Sequence, residues 1–126
     1  MLLRGYELQR NTEQLTVQLY WQVRQPLLPP HHIFIHLDDA TGQTLAQYDS
    51  VPQSASGPAP TGSWLPDELL VTEQIIAIDA LSSAQLAEPL ELRIGLYEPT
   101  TGQRLPTTRA GASTGDHVTI PLDPLQ

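Results

Sequence analysis

Leu15-Thr16-Val17-Gln18-Leu19-Tyr20-Trp21-Gln22-Val23 alternates apolar and polar side chains without a break. Successive side chains on a strand point to opposite faces, so Leu15, Val17, Leu19, Trp21 and Val23 share one face. Thr16, Gln18, Tyr20 and Gln22 share the other. One face is therefore buried and the other largely wet, the pattern of an antiparallel sheet covered on one side. Gln25-Pro26 and Pro29-Pro30 end the run, because proline cannot donate to a ladder.

Two more segments repeat this parity. His31 to Leu37 places Ile33, Ile35 and Leu37 together, and Leu90 to Tyr97 aligns Leu90, Leu92, Ile94 and Leu96. Shorter strands are predicted at Gly5 to Arg10, Thr44 to Ser50, Leu69 to Thr72, Gln74 to Asp79 and His117 to Leu122. Ile75-Ile76-Ala77-Ile78 is apolar on both parities, which suggests burial on both faces or a bulge. Asp38 to Gln43 and Glu98 to Gln103 read as hairpin loops whose Gly42 and Gly102 supply a positive φ. Ser82-Ser83-Ala84-Gln85 is a capping box, with Leu81 and Leu86 as its staple, so at most one short helical turn is expected near residues 83–87. Val51 to Ser63, rich in Pro, Gly and Ser, reads as one long loop, either functional or a connection between sheets. Many short strands with frequent turns give an all-β chain: an antiparallel two-sheet sandwich, jelly-roll or immunoglobulin-like, in a single domain over residues 1–126.

Composition excludes several function classes. All six basic residues are Arg and the formal net charge is -8. Phosphate neutralisation needs a basic patch, so nucleic acid is not an expected partner; the charge argues equally against anionic lipid. There is no Cys, which removes disulfides, thiolate metal sites and Cys nucleophiles. No apolar run reaches the roughly 20 residues of a membrane-spanning helix.

Candidate chemistry is sparse. His31 and His32 point to opposite faces, while His32 and His36 stand about 13 Å apart along a strand, too far for one zinc ion with ligands at about 2 Å. Asp38, Asp39 and Asp49 offer oxygens to calcium, yet turn chemistry already accounts for Asp38 and Asp39. No nucleophile elbow, phosphate-binding glycine loop or zincin motif is present, so no cofactor and no catalytic residue is assigned. Trp64, in Pro60-Thr61-Gly62-Ser63-Trp64-Leu65-Pro66, suits two roles. It is either a plug for the open end of the sandwich or a platform that stacks on a sugar ring. With Tyr48, Asp49 and Tyr97, Trp64 makes up the candidate ligand-binding set.

The order of segments resembles one family. Leu19-Tyr20-Trp21 is followed by Phe34-Ile35-His36-Leu37, then Ala46-Gln47-Tyr48-Asp49 with Pro52, then Pro60 to Pro66. Arg93-Ile94-Gly95-Leu96-Tyr97 comes next, before Thr101-Gly102-Gln103-Arg104-Leu105-Pro106. This resembles the soluble C-terminal β-sandwich domain of bacterial membrane glycosyltransferases of the dolichyl-phosphate-mannose mannosyltransferase type. The resemblance implies a domain taken from a longer chain, on the extracytoplasmic face of a bacterial membrane. It also implies a non-catalytic accessory or binding module, with a glycan or glycolipid, or the parent membrane domain, as partner. The family's catalytic carboxylates lie in membrane segments, so none transfers here. A purely structural domain that orients the parent enzyme is the alternative, and a stand-alone glycoside hydrolase the third.

Overall fold

The structure is a computed structural model that describes residues 1–109 and 112–125. Two large sheets face each other across one apolar core. The first runs in the order β10 (Ala112–Gly115), β9 (Thr107–Arg109), β1 (Leu2–Arg10), β2 (Gln14–Gln22), β7 (Leu70–Ala77). The second runs β11 (Val118–Leu122), β8 (Leu90–Tyr97), β3 (His32–Asp38), β4 (Thr44–Ser50). A small hairpin pairs β5 (Gln53–Ser54) with β6 (Gly57–Pro58). The ladders are antiparallel apart from the short parallel pairing of β1 with β9.

Shared parity builds the core as the sequence predicts. Leu15, Val17, Leu19, Trp21 and Val23 are buried against Ile33, Ile35, Leu37, Leu92, Ile94 and Leu96. The hairpin turns also follow the sequence. Asp39 N–H donates to Gln43 O at 2.9 Å and Glu98 N–H to Gln103 O at 2.9 Å. Gly42 and Gly102 sit at φ 89° and 75°. The capping box is present in full: Gln85 N–H donates to Ser82 Oγ, and Ser82 N–H to Gln85 Oε1, opening α1 (Ser83–Ala87).

Three expectations change. The two strands expected at Leu69 to Thr72 and Gln74 to Asp79 are one continuous strand, β7 (Leu70–Ala77). On it, Ile76 is buried while Ile75 is 52% exposed, so the run is neither doubly buried nor bulged. The inner face of β7 instead carries Thr72 and Gln74, and Thr72 Oγ1 accepts from Trp21 Nε1–H at 2.9 Å. The β1 strand begins at Leu2, and its bulge falls between Leu3 and Gly5. Finally, Val51 to Ser63 holds structure of its own: the β5–β6 hairpin and a 3-10 turn over Thr61–Ser63.

Candidate functional site

The strands β3, β4 and β8 bring their ends together at one end of the sandwich. β3 starts there at His32, β4 ends there at Ser50 and β8 ends there at Tyr97. Between them opens a cleft of about 270 Å³ walled by Pro29, Pro30, Pro60, Pro99 and Val51, with His31, His32, Glu98 and Thr100 supplying the polar groups. The walls are rigid for a local reason. Proline rings have a fixed φ and little entropy to lose, so a cleft built from them is shaped before any ligand arrives.

The long loop is tied to this end by specific bonds. Tyr48 O–H donates to Val51 O at 2.5 Å, which fixes the start of the loop as it leaves β4. Ala59 N–H donates to Pro52 O at 2.8 Å. Thr61 is fully buried; its hydroxyl donates to Leu27 O at 3.1 Å and accepts from His31 N–H at 2.8 Å. Thr61 thereby joins the two proline-rich segments that face each other across the cleft.

Trp64 takes the plug role, and the platform role is corrected. It is 1% exposed and stacks on Trp21 with ring centroids 6.4 Å apart and planes at 29°. Its indole N–H donates to Ala59 O at 2.9 Å, which satisfies the one polar atom of the ring. The open end of the sandwich needed apolar volume, and the 3-10 turn delivers this side chain inward. Trp64 therefore offers no face to a ligand. It braces the backbone immediately before the cleft's Pro60.

Of the remaining sequence-derived set, Asp49 and Tyr97 meet, whereas Tyr48 packs against the core from the other face of β4, and none of them lines the cleft. Asp49 on β4 and Tyr97 on β8 reach across β3 on its outer face, and Tyr97 O–H donates to Asp49 Oδ1. Burial, then the bond to Asp49 and its charge, pushes the Tyr97 hydroxyl up to about 12. The proton of Tyr97 is committed to Asp49, so its oxygen is free to accept from His32 Nδ1 at 3.5 Å, and the two rings meet edge to face at 5.7 Å. At the cleft, His31 Nδ1 lies 2.7 Å from Pro29 O. A carbonyl only accepts, so Nδ1 carries the proton in this bond. Glu98 adds a carboxylate whose oxygens accept from Thr100 at 2.8 Å and Thr101 at 3.4 Å. The cleft's accessible lining is almost wholly apolar, and the polar atoms of His31, His32, Glu98 and Thr100 contribute little of it. Such a site suits the apolar face of a ligand, with polar contact confined to its edge.

Beyond Tyr97, the outer face of the same sheet carries an ion-pair network. Arg93 Nε lies 3.2 Å from Asp38 Oδ2, and Thr44 O–H donates to Asp38 Oδ1 at 2.8 Å. Arg93 Nη2–H donates to His36 Nδ1 at 2.8 Å. His36 is thereby held neutral; burial first, and Arg93 second, lower its pKa. Phe34 lies across Gly95 under the Arg104 guanidinium, 4.5 Å from its ring centroid. No sequence pattern marks this cluster, since its members come from three strands and a loop.

The aspartates singled out for calcium do not converge. Asp38 pairs with Arg93, Asp49 with Tyr97, and Asp39 Oδ1 accepts from the Thr41 hydroxyl and amide and the Gln43 amide of its own turn. Among the described residues no group of three or more His, Asp or Glu side chains is placed to hold a metal ion. No described helix is long and apolar enough to cross a membrane. Comparison with known proteins adds no relative: no family model, curated protein or solved structure matches this chain.

Proposed function

We propose that this domain is a non-catalytic binding module whose end cleft takes a carbohydrate, free or as the head of a glycolipid. The carrying observation is a single apolar cleft walled by four prolines and Val51, with His31 and Glu98 among the residues that line it. A sugar ring has C–H faces that pack on apolar rings and hydroxyls that donate to fixed acceptors. The ionisable groups beside the cleft support binding over chemistry, since Tyr97 and Asp49 are engaged with each other. The segment order that resembles glycosyltransferase-associated domains supports a setting beside a cell-envelope glycosyltransferase.

A saturation-transfer NMR screen of mannose, glucose, galactose and N-acetylglucosamine tests this reading. Single sugars on shallow sites bind with dissociation constants near 1 mM, on the order of −4 kcal/mol. At least one sugar should give a saturable signal that His31→Ala weakens in a domain that still folds. A second reading, a structural domain seated on a parent membrane enzyme, is favoured by Leu65 and Leu69, which are 54% and 56% exposed. Silence from all four sugars overturns the binding reading and leaves that one.

A further inference from the structure

A second surface lies away from the cleft, on the outer face of the five-stranded sheet. Cross-strand rows there read Gly5–Tyr20–Val71, then Glu7–Gln18–Glu73, then Gln9–Thr16–Ile75. Two grooves lie along these rows. One, of about 390 Å³, runs between Arg4, Gly5, Tyr20, Gln22, Asp67 and Leu69; the next, of about 110 Å³, lies among Glu7, Gln9, Thr16, Gln18 and Glu73. Tyr20 joins them, its hydroxyl donating to Gln18 Oε1 at 3.2 Å. At about 3.3 Å per residue, the stretch of β2 from Gln22 to Thr16 is roughly 20 Å long.

Gly5 has no structural reason to be glycine. A glycine within a strand weakens it, and usually marks a positive φ, a bulge that needs one, or a close approach of another group. Gly5 is not in the left-handed region, and the bulged residue beside it is Arg4. A Cβ built at Gly5 would meet only Tyr20 Cδ2 at 3.7 Å, an ordinary contact. What the missing side chain does is leave the Cδ2 side of the half-buried Tyr20 ring open at the head of the larger groove.

We propose that this face binds a linear, uncharged polysaccharide lengthwise, with Tyr20 as its stacking platform and Gly5 as the opening that exposes it. The lining selects that chemistry. Glu7, Asp67 and Glu73 outnumber Arg4, so an anionic polymer is repelled. The amides of Gln9, Gln18 and Gln22 both donate and accept, as sugar hydroxyls do. An extended peptide adds to the open edge of a sheet, not to its face. This site stands independently of the end cleft.

The test is a ¹H–¹⁵N NMR titration with cellohexaose and with laminarihexaose, using hexagalacturonate as the anionic comparison. At least one neutral oligosaccharide should give saturable shifts over Gly5, Gln9, Thr16, Gln18 and Gln22, and the galacturonate should give none. Gly5→Ala should keep or raise Tm while weakening that binding about tenfold or more. Tyr20→Ala should remove it. The response of the cleft to single sugars should survive Gly5→Ala, so failure of one site is told from failure of the other. No shifts on this face from either neutral hexamer, equal binding of the galacturonate, or full affinity in Gly5→Ala would overturn the proposal.

Discussion

Three residues, Trp64, Gly95 and His36, show how identity and environment fit each other. Trp64 reads ambiguously in the sequence because a loop tryptophan serves equally as plug or platform; only the partner decides. Here that partner is Trp21, which parity had already placed in the core. Trp64→Ala should therefore destabilise the domain by about 3–5 kcal/mol, the range for an emptied aromatic site, measured by urea unfolding. Gly95 is constrained where Gly5 is not: a Cβ there would lie 2.5 Å from Phe34 Cζ and 2.9 Å from Asp116 O. Gly95→Ala should cost about 1–3 kcal/mol by overpacking, and an unchanged Tm would contradict the placement of Phe34. His36 predicts a pH dependence. Its pKa is lowered in the fold by burial and by Arg93, so the unfolded chain takes up a proton that the folded chain refuses. Stability should then fall as pH drops below about 6.5, levelling off below the folded value. Unfolding free energies at several pH values should show this slope in wild type and lose it in His36→Gln.

Elements were legible wherever one face is apolar and the other polar. Leu15 to Val23 announces β2 because its two faces meet different surroundings. The same logic misleads on β7, whose inner face holds Thr72 and Gln74 while Ile75 looks outward. Polar residues share that inner face with Ile76, and Thr72 supplies the acceptor that the Trp21 indole N–H needs within the core. The strands β9 and β10 are short and polar, with Thr107, Thr108, Ser113 and Thr114, and they pair without any periodicity to betray them. Turn chemistry, by contrast, is local and was readable. Gly42→Val and Gly102→Val each force a β-branched residue to positive φ. Each should lower Tm by several degrees, on the order of 1–3 kcal/mol. Two unchanged melting curves would show that neither turn needs its glycine.

For the whole molecule, the described surface includes a proline-walled cleft at one end of the sandwich and a polar face on the five-stranded sheet. Tyr48, Asp49 and Tyr97, singled out in the sequence, lie at the same end of the sandwich as the cleft but do not line it. The sequence could not reveal that prolines 29, 30, 60 and 99 converge, because they come from three separate connections. Nor could it show that His31 Nδ1 bonds to Pro29 O beside the cleft. The account also holds the two sheets to be a single cooperative unit. Leu19→Ala on one sheet and Ile94→Ala on the other should each cost about 2–5 kcal/mol and leave unfolding two-state. The central claim is that the proline cleft binds sugar. A ¹H–¹⁵N shift map recorded with the best monosaccharide at saturation tests it most directly. The account predicts perturbations clustered at His31, His32, Val51, Glu98 and Thr100, with the opposite end around Asp39 to Gly42 silent. Shifts centred on that opposite end, or none at all, would contradict it.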